Sequence, residues 1–425
     1  MVAARQTLRM IAQEPQNRFV ETERILDAAL EIIARVGLDG LTLRDLAQSI
    51  GKSTTVIVNL FGSKAGLIEA VSEVALAQDE AFHRDFFARL DHLPPGRDAL
   101  IGVILSYLKV RSSSQAHGAR VIEALILTHD PSEARRDFIL RWDQIRLRAW
   151  REFLERFAGR HGVSGDFTPF LGGFLLMEQY YAVALSDRSD YGAILVETVG
   201  AMVDRAMDHP DGPAVATDWF THRLIIPHEP AEGLDPDSMK LRLLNIAADQ
   251  ILGQGVNGVT NRSVSLEAGT STSTIAHHWG DMGQFLMDAV WHSVFREMPP
   301  YLDHRRLGRT GPPTDVAGWA ELIAPTLAPA DGFYVKYARL IAQICLKARL
   351  EPGFQDLAMI LRGPEGGGTY TNRADVWPET FDLTRLAASR FAIWIKGQAL
   401  IVSATQQPYG VQQLQDAARA LVHTR

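Results

Sequence analysis

The chain has 425 residues, 46% hydrophobic and 22% charged, with 43 Lys+Arg against 50 Asp+Glu and a net charge of −7. At about 150 residues per domain this accommodates two or three folded domains, and the balanced composition argues against disorder. A single cysteine excludes a disulfide framework or multi-cysteine zinc site, no run approaches the roughly 20 apolar residues of a membrane span, and the acidic balance argues against a general nucleic-acid coat while permitting a local basic face; the cytoplasm is the expected location.

Residues 22–36 place Ile25, Leu26, Ala29, Ile32, Ile33 and Val36 on one face at the 3.6-residue period, which predicts an amphipathic helix. Thr42-Leu43-Arg44-Asp45 has capping-box spacing and opens a second helix with Leu43, Leu46 and Ile50 on its apolar side. Gly51 supplies a left-handed turn residue, Ser53 caps a third helix over 54–60, and Ser63 caps a fourth that runs through Leu67, Ile68 and Val71. Stretches 98–110, 118–128, 133–158, 168–186 and 191–207 also read as helices, and no run alternates convincingly at period two. Residues 208–237 carry Pro210, Pro213, Pro227, Pro230 and Pro236, the composition of a linker. Extended, it reaches about 100 Å and so hardly constrains how its flanks dock.

The remainder repeats the beginning. Residues 24–68 align with 242–286 without a gap, Gly51 falling opposite Gly269 at an offset of 218. Arg24, Ala29, Gly37, Gly40, Thr42, Arg44, Gly51, Ser53, Ile57 and Gly62 recur identically, and apolar positions recur in kind. Tyr191-Gly192 and Tyr409-Gly410 return at the same offset, each after an apolar helical stretch. The expected organisation is a helix-turn-helix unit at 1–68, a helical regulatory and dimerisation-like domain at 69–207, the linker 208–237, a divergent helix-turn-helix unit at 238–286 and a second helical domain at 287–425. The fold class is all-α. Gly253-Gln254-Gly255-Val256-Asn257-Gly258 spells G-x-G-x-x-G, but it follows a helix and aligns with residues 35–40, so it reads as a helix–helix turn. The run Gly363-Pro364-Glu365-Gly366-Gly367-Gly368 reads as a loop.

Three short helices with a glycine turn between the second and third form the pattern whose third helix enters the DNA major groove. Here Thr42, Leu46, Ala47, Gly51, Ser53, Ile57, Phe61 and Lys64 resemble the N-terminal domain of the tetracycline-repressor-like (TetR) family of bacterial transcription regulators. The second copy follows the same pattern with Thr260, Val264, Gly269, Ser271, Ile275, His278 and Trp279. Both copies depart at the family's phosphate-contacting tyrosine, which is Val58 in one and Ala276 in the other; the second also has Met282 for the lysine and Ser265 for the alanine. The resemblance implies a double-stranded DNA operator as partner. In the first unit Lys52, Ser53, Arg44 and Lys64 are candidate phosphate contacts, and Thr54, Thr55, Val56 and Asn59 candidate base contacts, since asparagine pairs with adenine and methyl groups touch thymine. In the second unit the candidates are Arg262, Thr270, Ser271, Thr272, Ser273, His277 and His278. Residues 1–64 hold eight Lys+Arg against three over 238–282, which makes the first unit the better reader. Arg5 and Arg9 suit a minor-groove arm or a solvated tail.

The resemblance also implies a small apolar or amphipathic effector, with Trp142, Trp150, Phe174, Met177, Tyr181, Tyr337 and Trp394 as candidate pocket residues against ordinary core packing. Glu123, Glu178, Gln179 and Gln343 are candidate orienting groups. No residues recommend catalysis, a metal or a cofactor: His277-His278 lacks further ligands and Cys345 sits in an apolar run. The function expected is an effector-responsive repressor, a single-chain pseudo-dimer on an imperfect palindrome, with a homodimer of such chains also open. Its last helices would close the interface within one chain, Val196 matching Leu414 and Val203 matching Leu421. The alternative is a ligand-sensing or protein-interaction module whose second helix-turn-helix no longer binds DNA.

Overall fold

The computed structural model describes residues 2–129, 131–158, 167–225, 228–302 and 313–425. The predicted first helix lies inside α1 (Val2–Gly40), where Ile25, Ala29, Ile32 and Ile33 are buried. The apolar stripe ends before Val36, which is 42% exposed, because Gly37 at φ 77° breaks the helical path one residue later. The side chains of Arg5 and Arg9 lie outside the described residues. Thr42 opens α2 (Leu43–Ser49) as its spacing predicts: its Oγ1 accepts from Asp45 N at 3.0 Å and donates to Asp45 Oδ2 at 2.7 Å. Gly51 turns the chain at φ 69° into α3 (Thr54–Phe61). Ser53 takes the N-cap position, but its side chain makes no capping bond, so the expected cap is one of position only. Ser63 Oγ does cap α4 (Lys64–Ala88), accepting from Gly66 N at 3.1 Å.

The first helical body comprises α5 (Arg97–Ser112), α6 (His117–Ile126), α7 (Glu133–Ala158), α8 (Thr168–Leu185) and α9 (Ser189–Ala206), within two residues of the predicted ends. The proline-rich segment is not a free tether. It contains α10 (Val215–Arg223), held on α9 by Glu197, whose carboxylate accepts from Ala216 N at 2.7 Å and Thr217 N at 2.9 Å, the orphan donors of the helix start. Asp211 in the same segment is buried against Arg390 at 2.7 Å. The prolines therefore bracket a docked helix, which corrects the expectation of a segment that hardly constrains its flanks.

Beyond it come α11 (Met239–Gln254), α12 (Asn261–Ala268), α13 (Ser273–Trp279), α14 (Met282–Leu302), α15 (Val316–Ile323), α16 (Phe333–Ala348), α17 (Gly353–Arg362), α18 (Gly367–Thr371), α19 (Arg373–Val376), α20 (Arg385–Thr405) and α21 (Val411–Leu421). The G-x-G-x-x-G match is the turn between α11 and α12, with Gly255 at φ 89° and a 3-10 turn over Val256–Gly258. A two-residue ribbon, β1 (Phe381–Asp382) with β2 (His423–Thr424), is the only sheet among the described residues. No single helix among them is long and apolar enough to cross a membrane.

α8 and α20 are buried on nearly every face and pack most extensively on each other, joined by contacts of α20 with α9 and of α21 with both α8 and α9. A helix apolar all round belongs at the centre of a core. Small residues permit the crossing: a Cβ on Gly397 would collide with the Gly173 carbonyl, and one on Gly173 would sit 2.8 Å from Trp394 Cδ1. Leu414, Val203 and Leu421 are buried as expected, but Val196 is 52% exposed, because its face of α9 turns outward rather than toward α21. The glycine run after α17 is likewise more than a loop. Gly366 lies directly against the α20 backbone at Ala388, and Gly363 lies under the Phe220 ring of α10. Arg362 and Glu365, on either side of Gly363, are both buried.

Candidate nucleic-acid interface

The first head is built by burying Leu46, Ile57 and Leu67 completely, one from each of α2, α3 and α4. Burying Ile57 fixes the rotation of α3, and Thr54, Thr55, Val58 and Asn59 are left exposed, with Val56 half-buried. Arg44 on α2 is exposed and has no ion pair among the described residues. Lys52 in the turn pairs with Glu21 at 2.5 Å, both side chains partly exposed. A pair so open to water is worth about 0–1 kcal/mol, so a phosphate can compete for the lysine. Ser53, free of a capping bond, presents its hydroxyl at the same helix start, where backbone donors favour an anion. Lys64, at the start of α4, is half-buried and borders a cavity between this head and the bodies.

The second head uses Val264 and Ile275 in the same way, but its surface is chemically different. Thr270 Oγ1 bonds Thr274 Oγ1 at 2.8 Å, and Ser271 Oγ bonds Ser273 Oγ at 2.7 Å, so the hydroxyls of the turn are engaged with one another. Thr272, His277, His278 and Arg262 are exposed. Partial burial, with His277 and Lys240 close by, lowers the pKa of the His278 imidazole below the usual histidine value and so disfavours its cationic form. Lys240 lies 5.4 Å over the Trp279 ring. The second surface thus carries fewer free cations than the first.

The candidate effector residues fall into separate groups. Trp142 and Trp150 belong to the first body: Trp142 Nε1 donates to Asp79 Oδ2 at 3.0 Å, and Trp150 meets Phe87 and Tyr107 edge-on at 5.0 and 5.1 Å. Phe174 and Met177 are buried on α8. Tyr181 donates to Glu365 Oε1 at 3.0 Å, the same carboxylate takes Lys396, and the Lys396 ammonium lies 5.1 Å over Tyr337. Trp394 lies beside Phe391 on α20 and meets Tyr409, in the turn before α21, edge-on at 5.9 Å. The candidate orienting groups are also engaged. Glu178 pairs with Arg362, Gln179 and Arg120 bond Glu123, and Gln343 accepts from Val256 N at 3.1 Å. Apart from Arg120, three residues before Glu123, these partners are distant in the sequence and left no local signal there. Cys345 is fully buried.

The polar cluster beneath Trp142 sets an acid limit. Burial alone would raise the Asp79 carboxyl, but the charges of Arg111 and His83 outweigh it and hold Asp79 well below its ordinary 3.8. A carboxyl depressed in the folded state stabilises above its unfolded pKa and loses that contribution as pH falls through the folded value. Asp79→Asn is therefore expected to destabilise the protein at pH 7, with the gap to the parent narrowing once pH drops below about 4. Urea midpoints measured from pH 7 to pH 3 check this, and a gap constant over that range counts against the pairing.

Residues 25–71, which hold the exposed α3 surface, match the sequence model of bacterial regulatory proteins of the tetR family. The HTH-type transcriptional regulator BetI of Burkholderia lata is 36% identical over 76 residues, which is 17% of this chain and 39% of that protein. The chain thus spans about two fifths of the length of the curated relative it matches. Residues 25–71 therefore form a helix-turn-helix domain of the tetR type.

Proposed function

We propose that the protein is a one-component transcription regulator, an effector-responsive repressor, in which two homologous halves of one chain mimic a homodimer on DNA. The observation that carries this reading is the packing of α8 on α20, which joins two bodies that each bear a helix-turn-helix head. The duplication is supported by helix starts at one spacing: α2 and α12, and α4 and α14, begin 218 residues apart, and α3 with α13 and α8 with α20 lie within one residue of it. On this reading residues 1–68 and 238–286 are the two heads, 69–207 and 287–425 the bodies, and 208–237 their connector. A regulator acting on DNA in this way works in the cytoplasm. Arg44, Lys52, Ser53 and Lys64 hold phosphates while Thr54, Thr55, Val56 and Asn59 face base edges. Arg262, Thr270, Ser271, Thr272, Ser273, His277 and His278 serve the second half-site, so the operator is an imperfect palindrome. The buried aromatic residues would open around an effector only in a second conformer that binds DNA less well.

The engaged hydroxyls at the turn into α13, and a His278 imidazole whose cationic form is disfavoured, favour a second reading, in which only the first head touches DNA. DNA selected from a random pool supplies the operator, and substitutions then separate the two. Asn59→Ala is expected to weaken binding about 5- to 150-fold, the loss of one good base contact of about 1–3 kcal/mol. Arg262→Ala with His277→Ala weakens binding and relaxes one half-site if both heads read. No effect from that pair establishes the single-headed alternative, and no enrichment of any DNA overturns both. A solution mass of 47.0 kDa fits the pseudo-dimer, whereas twice that mass replaces it with a four-headed assembly.

A further inference from the structure

The ends of α1 and α11 face one cavity of about 370 Å³ where both heads meet both bodies. Its walls come in pairs. Gly37 and Gly255 stand 218 residues apart, both at positive φ, and Leu127 and Leu346 extend from α6 and α16. Ala124 and Gln343 form a third pair on those same helices, and their difference makes the space. Gln343 lies against Gly255 and accepts from Val256 N at 3.1 Å, sealing the end of α11 onto α16. Ala124 ends at its Cβ, and around Gly37 nothing approaches within 4 Å of where a Cβ would be.

The open side is cationic. Lys64 borders it from α4 and Arg135 from the first turn of α7. Arg135 Nη1 donates to Thr128 Oγ1 at 3.1 Å, and neither cation has an ion pair among the described residues. No acidic side chain is among the described residues that line the cavity. Burial lowers the Arg135 pKa with no carboxylate to counter it, so its charge pays a desolvation cost that an anion would relieve. The volume falls within the range of about 300–1,000 Å³ of small-ligand pockets, and Thr128 and Gln254 add polar groups to the wall.

We propose that this junction is a binding site for a small organic or inorganic anion, held through its carboxylate or phosphate group by Arg135 and Lys64. It is distinct from the aromatic groups of the bodies. Because Lys64 is also a candidate phosphate contact, an anion seated here competes with the operator for it; that consequence rests on the DNA-binding reading, whereas the site does not. An anion would also tie the start of α4 in the first head to α7 and to the end of α11, fixing the heads relative to the bodies.

Calorimetric titration of the full chain without DNA tests the site, with inorganic phosphate in one arm and succinate in the other, in low-salt buffer. The expected result is saturable binding of at least one probe at one per chain, and the arm that saturates identifies the preferred group. Arg135→Gln and, independently, Ala124→Gln, which copies the plug of the second half, should each weaken it at least tenfold. Arg135→Lys should retain most of it. Thermal melts identify any variant that fails to fold, in which case the others decide. Saturation with neither probe, or equal affinity in the parent and Ala124→Gln, overturns the site. Operator affinity measured without the probes reports separately on DNA binding, so either idea can fail alone.

Discussion

Replacing Arg362 with alanine is expected to cost about 3–5 kcal/mol of stability, the range for removing one partner of a buried ion pair. The Arg362 guanidinium pairs with Glu178 on α8, with neither side chain exposed to solvent, and donates to Thr198 Oγ1 on α9 at 2.9 Å. Tyr191 donates to the other Glu178 oxygen at 3.1 Å. Without the arginine, the carboxylate keeps one neutral donor in a site closed to water. Arg362 reaches it from the last residue of α17, so this one residue fixes the end of that helix on both α8 and α9. Removing both charges is a different matter. Arg362→Met with Glu178→Leu leaves no stranded charge and should recover most of the loss, since buried pairs often add little net stability over apolar residues of similar size. A double-mutant cycle from urea denaturation measures the coupling; additive losses would mean the two groups do not act as a pair.

The first head was legible in sequence because its determinants are local. Thr42 finds its partner three residues away, Ser63 likewise, and Gly51 needs only its own backbone freedom at φ 69°. Apolar patterning then located α5 to α9 without knowledge of their neighbours, as an unbroken apolar run for α8, which is buried nearly all round, and by recurrence of a buried face elsewhere. Ser53 shows the limit of that logic: its spacing marks the helix start, yet its hydroxyl is not used there. What the sequence concealed is non-local. Glu178 and Arg362 are 184 positions apart, and α10 is specified by the Glu197 carboxylate rather than by its own weakly patterned residues. The glycine run after α17 resembles a loop by composition, but its glycines are required by contact with α20 and α10. The cavity at the head–body junction arises from one difference between two helices, Ala124 on α6 against Gln343 on α16, which becomes meaningful only when the two are seen to flank one space.

The crossing of α8 and α20 should be the most sensitive place to add a single carbon. At Gly397 the new methyl meets the Gly173 backbone, which no rotamer change can move aside, so Gly397→Ala must separate the helices or bend one of them. Overpacking of this kind typically costs about 1–3 kcal/mol, and a backbone collision at the centre of the core belongs at about 3. Gly102, inside α5, provides the matched control, since a Cβ there meets nothing within 4 Å. Alanine at Gly102 should therefore stabilise by about 0.5–1 kcal/mol through helix propensity and reduced freedom of the unfolded chain. Opposite signs from the same chemical change, read as shifts in urea midpoint with unchanged slope, would place the effect in packing rather than propensity. Equal, stabilising shifts would mean that α8 and α20 do not approach so closely. If the α8–α20 packing also sets the separation of the heads, Gly397→Ala should weaken operator binding at temperatures where the chain remains folded, and Gly102→Ala should leave it unchanged.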